Sequence, residues 1–184
     1  MNDKIELFET YKTLALAEGA LDAVLVRPDD IVFDGRTLFK CMFGCADWGK
    51  GPTCPSRHSA LKPWEWEPLL RKYSAVLVIR SHDKRIAQKA AYTVEMEAFF
   101  NGDALAFSMS DCAVCATCAG AGGGACRFPE QARPAFHSVG IDVFSTAKKL
   151  GLPLMALRDH DEEHNWYSAV WLNEVIDYAI PRRS

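Results

Sequence analysis

The chain predicts an α/β or α+β domain, a central sheet flanked by helices and carrying two Cys/Gly-rich loops. Strand-like runs such as Ser74 to Arg80 alternate with amphipathic stretches such as Lys84 to Asn101, as a sheet covered by helices requires. No internal repeat or low-complexity segment breaks that alternation. A length of 184 residues suits one core, so one domain over 1–184 is expected.

Each element has its own signal. Ile5, Phe8, Tyr11 and Leu14 recur at helical spacing within 3–18, and Gly19 stops the helix. Ala23 to Val26 reads as a short strand, Pro28-Asp29-Asp30 as a turn, and Ile31 to Phe33 as a second strand. Cys41 to Cys54 is rich in Gly and Pro and reads as loop. A short helix follows over 64–72. Ser74 to Arg80 (S-A-V-L-V-I-R) is a continuous β-branched run, the pattern of a buried strand. Lys84 to Asn101 is helical, with Ile86, Ala90, Val94 and Ala98 on one face. Ala104 to Met109 reads as a strand that runs straight into a cysteine cluster. Phe136 to Leu150 forms an amphipathic helix with a stripe of Phe136, Val139, Val143, Ala147 and Leu150, ended by Gly151-Leu152-Pro153. Leu154 to Arg158 pairs with Trp166 to Leu172 across a polar D-H-D-E-E-H turn, and a last helix runs over 173–180.

Composition narrows the function classes. The profile is 49% hydrophobic and 24% charged, that of an ordinary globular protein. The formal net charge is −3 with no Lys/Arg block, so no nucleic-acid partner is expected. No apolar run is long enough for a bilayer, so no membrane partner is expected either. The start, M-N-D-K-I-E-L-F-E-T-Y-K, lacks the positive charge and apolar run of a signal peptide. The expected location is therefore the cytoplasm. Thiols stay reduced there, and clustered cysteines bind metal more readily than they form disulfides. Seven cysteines also cannot all pair within one chain.

Four of the seven, Cys112, Cys115, Cys118 and Cys126, stand in C-A-V-C-A-T-C-A-G-A-G-G-G-A-C-R-F-P. Neighbouring cysteine α-carbons at two-residue gaps lie at most roughly 10 Å apart, so a loop can aim three sulfurs at one point. A triple C-x2-C-x2-C run followed by a fourth cysteine is the ligand pattern of a 4Fe–4S cubane. Gly120 and Gly122-Gly123-Gly124 let the intervening backbone bend and bring N–H groups close to a bound group. The ferredoxin run has three residues before its fourth cysteine and Pro after it; here the gap is seven and Arg127 follows. Zinc is the competing metal, although structural zinc favours two C-x2-C pairs with a longer stretch between them.

The second group is Cys41, Cys45 and Cys54, in C-M-F-G-C-A-D-W-G-K-G-P-T-C-P-S-R-H. Pro55 follows its last cysteine, as in cluster loops. Three thiolates would serve three irons of a second cubane and leave the fourth to Asp47, His58 or a substrate. Alternatively both groups share one site, or Cys41 and Cys45 are small buried residues. Arg36, Arg57, Arg127 and Arg133 flank the groups and would offset an anionic cluster, or are solvated surface residues. Trp48, Trp64 and Trp66 are read as a cover for the first group. His58, His82, His137, His160 and His164 show no metal spacing, and no P-loop, dinucleotide fingerprint or nucleophile elbow occurs.

The block C-M-F-G-C-A-D-W-G-K-G-P-T-C-P, with C-A-V-C-A-T-C, C-R-F-P-E-Q-A-R-P and G-I-D-V-F-S-T-A-K-K-L-G-L, resembles a bacterial and archaeal family called predicted metal-binding protein, a domain of unknown function. The likeness covers nearly the whole chain. It implies that Cys41, Cys45, Cys54, Cys112, Cys115, Cys118 and Cys126 are metal-binding positions, and it supplies no reaction. Trp48 stands in a stretch where some members carry tyrosines.

Together these readings give an iron–sulfur protein with one or two 4Fe–4S clusters that passes electrons to a redox partner protein. One alternative is a cluster-dependent lyase, desulfurase or reductase whose open iron meets a small-molecule substrate. The other is a structural zinc module. No residue presents itself as a catalytic acid or base.

Overall fold

The computed structural model describes residues 2–58, 60–159 and 162–173. Its helices are α1 (Asn2–Ala17), α2 (Thr37–Gly44), α3 (Pro63–Leu70), α4 (Lys84–Phe100) and α5 (Val143–Leu150). Its strands are β1 (Asp22–Val26), β2 (Ala75–Ser81), β3 (Phe107–Met109) and β4 (Trp166–Leu172). The strands form one sheet in the order β1-β2-β4-β3, and every pairing is antiparallel. Of the two classes expected, the fold is therefore α+β. No described helix is long and apolar enough to cross a membrane.

Side chains alternate across the sheet and divide the core in two. Ala75, Leu77 and Ile79 of β2 lie with Val170 and Leu172 beneath Tyr11 of α1 and the small residues Ala90, Ala91 and Ala98 of α4. Val76 and Val78 turn the other way, joining Trp171 and Met109 against Ile31, Leu70, Phe136 and Ile141. Burial on both faces explains the unbroken apolar run of β2, a pattern more usual in parallel sheets. Asp83 caps α4, its carboxylate accepting from the Arg85 and Ile86 N–H groups at 2.6 and 3.4 Å.

Several expected elements differ. Ile31 to Phe33 is not a strand; it makes a single bridge, Phe33 to Ile141, and its Val32 N–H donates to Thr146 Oγ1 at 3.1 Å. Thr37–Gly44 is helical, so Cys41 sits in α2 and not in a loop. The helix forms because no Gly or Pro intervenes before Gly44. Phe136 to Leu150 is two pieces, a 3-10 turn over Phe136–Val139 and then α5. Gly140 adopts φ +89 between them, and Asp142 starts α5 afresh by accepting from Ser145 N–H at 3.0 Å. The stripe is still mostly interior: Phe136, Val139 and Ala147 are buried. Leu154 to Arg158 forms no strand, because β4 lies between β2 and β3 and has no free edge to offer it. The helix expected over 173–180 lies, beyond residue 173, outside the described residues.

Candidate metal centre

The first cysteine group is positioned by α2. Cys41 and Cys45 are four residues apart, so they fall on one side of the helix and its end. The chain then tightens through successive turns: Trp48 N–H donates to Cys45 O at 3.2 Å, Lys50 N–H to Asp47 O at 3.0 Å and Cys54 N–H to Gly51 O at 3.2 Å. These turns bring Cys54 back beside the helix end. Cys54 Sγ accepts from the Gly49 N–H at 3.4 Å and lies 3.0 Å from Ser56 Oγ.

The second group leaves the end of β3, an edge strand. Its long loop is closed at the base, where Ser110 N–H donates to Pro134 O at 3.0 Å. Two side chains of α4, seven residues apart and so on one helix face, brace it further. Gln88, buried, accepts from the Ala113 N–H and donates to Gln131 O at 3.1 Å, thereby tying the entrance to the exit. Glu95 holds Arg133 through two bonds, Arg133 Nη2 to Oε1 at 2.6 Å and Nε to Oε2 at 2.9 Å. Ser108 N–H also donates to Glu95 Oε2 at 2.8 Å, and the Ser108 hydroxyl donates to the same oxygen. Arg133 stacks over Tyr92 and Phe107, 5.2 and 5.5 Å from the ring centres.

The two groups meet. Cys41, Cys45, Cys54, Cys112, Cys115, Cys118 and Cys126 all line one cavity of about 230 Å³. Asp47, Trp48, Asp111, Arg127, Phe128 and His137 complete much of its wall. The loops touch at Gly120, where an added Cβ would lie 3.0 Å from Pro52 Cδ and 3.2 Å from Lys50 O. All seven thiols are free; Cys41 is buried, while Cys45, Cys112 and Cys118 are exposed.

The wall is electrostatically uneven. Burial pushes the Cys41 thiol up to about 11, and Cys45, Cys54 and Asp111 add to the effect. Burial opposes ionisation of Cys54 too, but hydrogen bonds from Ser56 and Gly49 outweigh it and lower the Cys54 pKa. The Cys54 thiol therefore ionises more readily than an ordinary thiol and the Cys41 thiol less readily, and metal binding would have to displace the Cys41 proton.

Thiolates are the soft donors that iron–sulfur centres and zinc take. Among the described residues, no three His, Cys, Asp or Glu side chains converge closely enough to hold one metal ion. A tetrahedral zinc draws its sulfurs to within about 4 Å of one another. A polynuclear cluster is wider and likewise takes thiolates, so a cavity lined by seven thiols suits either kind of centre.

Other expected site residues divide. Asp47 lines the cavity; His58 is exposed and does not. Trp48 is in the wall, Trp66 lies in a groove behind Pro52 to Pro55, and Trp64 is exposed and does not line the cavity. Arg133 serves the Glu95 brace and not the thiols. Sequence reasoning set His137 aside for want of metal spacing, and it missed Asp111, Gln88 and Glu95. The last two left a signal, polar residues on the face of α4 that carries Ala87, Ala91 and Val94. His160 and Asp161 lie outside the described residues.

Residues 24–172 match a family described as predicted metal-binding protein (DUF2284), and the chain belongs to that family. No curated protein and no solved structure matches it.

Proposed function

We propose that this member of a predicted metal-binding family is an iron–sulfur protein of the 4Fe–4S type that transfers electrons to a partner protein in the cytoplasm. One observation carries the reading: seven thiols from two distant segments line a single cavity. Cys112, Cys115, Cys118 and Cys126 would hold one cluster. Cys41, Cys45 and Cys54 would hold a second, completed by Asp47, Asp111 or His137, or would complete the shell of the first. Such a group supplies reversible one-electron chemistry when bound.

The chain's own residues do the rest. Ser56 and the Gly49 N–H stabilise negative charge on Cys54. Gln88 and the Glu95–Arg133 pair fix both ends of the second loop, which keeps its cysteines on the wall they share with the first group. Trp48 and Phe128 add apolar surface to the wall. EPR spectroscopy of protein purified without oxygen tests the reading. A signal that appears on reduction and disappears on reoxidation supports it; a bound cluster that takes up no electron at accessible potentials removes it.

A second reading, a cluster-dependent enzyme, is favoured by the odd thiol count and by Thr53, Asp47, Asp111 and His137 on the same wall. It predicts that small thiol or hydroxyl compounds change the cluster spectrum, and it fails if every iron carries a protein ligand.

A further inference from the structure

Four arginines flank the cysteines, and three are committed elsewhere. Arg36 Nε holds Asp34 at 2.9 Å, Arg57 Nη1 donates to Pro52 O at 2.8 Å, and Arg133 is held by Glu95. Arg127 differs. It has no hydrogen-bond or ion-pair partner among the described residues, and it lines the cysteine cavity next to Cys126. The acidic residues on that wall are Asp47 and Asp111.

We propose that Arg127 and Asp111 set the reduction potential of this centre in opposite directions. The inference rests on the cluster reading above. Thiolates already make such a centre anionic, and one-electron reduction adds one more negative charge. A guanidinium on the wall lowers the cost of that charge, and a carboxylate raises it. Arg127 also carries five N–H donors, a complement to anionic sulfur. Its side chain is largely exposed, so solvent screening keeps the effect to the scale of a surface ion pair.

The test is a redox titration of oxygen-free protein with dithionite as the electron donor, read by EPR. Arg127→Gln should lower the ratio of reduced to oxidised cluster at a fixed potential by about threefold, and Asp111→Asn should raise it by a similar factor. Arg127→Lys should stay near wild type, because the charge is kept. Added salt should shrink both differences. Unchanged ratios in Arg127→Gln and Asp111→Asn overturn the inference and leave the cluster reading standing. Wild-type protein without iron and sulfide overturns the reading underneath. If Arg127→Gln folds but does not load, Asp111→Asn decides: a raised ratio supports the inference and an unchanged one overturns it.

Discussion

Replacing Glu95 with Gln keeps the shape of the side chain and removes its charge. In the native protein its two oxygens receive four hydrogen bonds, two from Ser108 and two from Arg133. An amide has one oxygen, and its NH2 group would face a donor. Both members of the ion pair have side chains only 11% exposed, so water cannot compensate well. Breaking a buried pair by removing one partner costs about 3 kcal/mol or more, because the remaining charge stays buried and unpaired. For a chain of this length that corresponds to a melting point lower by roughly 10 °C. Urea and thermal denaturation of Glu95→Gln, Arg133→Met and the double variant measure it. The double variant should cost at least about 2 kcal/mol less than the sum of the singles. Additive costs, or a Glu95→Gln loss under about 1 kcal/mol, would refute the brace.

Three further outcomes are expected. Gly120→Ala should force the two cysteine loops apart, since the new methyl meets Pro52 Cδ at 3.0 Å and Lys50 O at 3.2 Å; the variant should fold, by circular dichroism, yet load less metal than wild type, and equal loading would contradict the interloop contact. In metal-free protein, Ser56→Ala should slow iodoacetamide labelling of Cys54 at neutral pH by raising its pKa, without slowing Cys45, as peptide mass spectrometry can check. Tyr11, Tyr73 and Tyr167 are pushed up by burial from 10.0 to about 12. Unfolding releases these phenols to ionise near their ordinary value, so their stabilising contribution is whole below pH 10.0 and is lost as pH rises toward about 12. A urea midpoint that does not fall across that window would contradict the burial of these rings.

Local pattern was enough for α1, β2, α3 and α4, because each carries its own periodicity and its own stop. It was not enough for α2, where the glycines after Gly44 coloured the reading of the helical turns before it. It also failed at 136–150, where an uninterrupted apolar stripe hides the positive φ of Gly140; only the close approach of Pro63 O, 3.0 Å from an added Cβ, shows why the chain turns there. The cysteines stood out as a candidate site from their spacing and neighbours. That both groups line one cavity stood only as one alternative among several, since it depends on long-range bonds: Gln88 to Ala113 and Gln131, Glu95 to Arg133, and the meeting of Gly120 with Pro52. Nor could the order β1-β2-β4-β3 be read, because the last strand enters between two earlier ones.

The most direct measurement is the iron, sulfide and zinc content of protein purified without oxygen, for wild type, Cys54→Ser and Cys115→Ser. The account predicts about four or about eight irons per wild-type chain with equal sulfide, little zinc, and a loss of iron in both variants. Stoichiometric zinc without sulfide, or folded wild-type protein that takes up no metal on reconstitution, would contradict it.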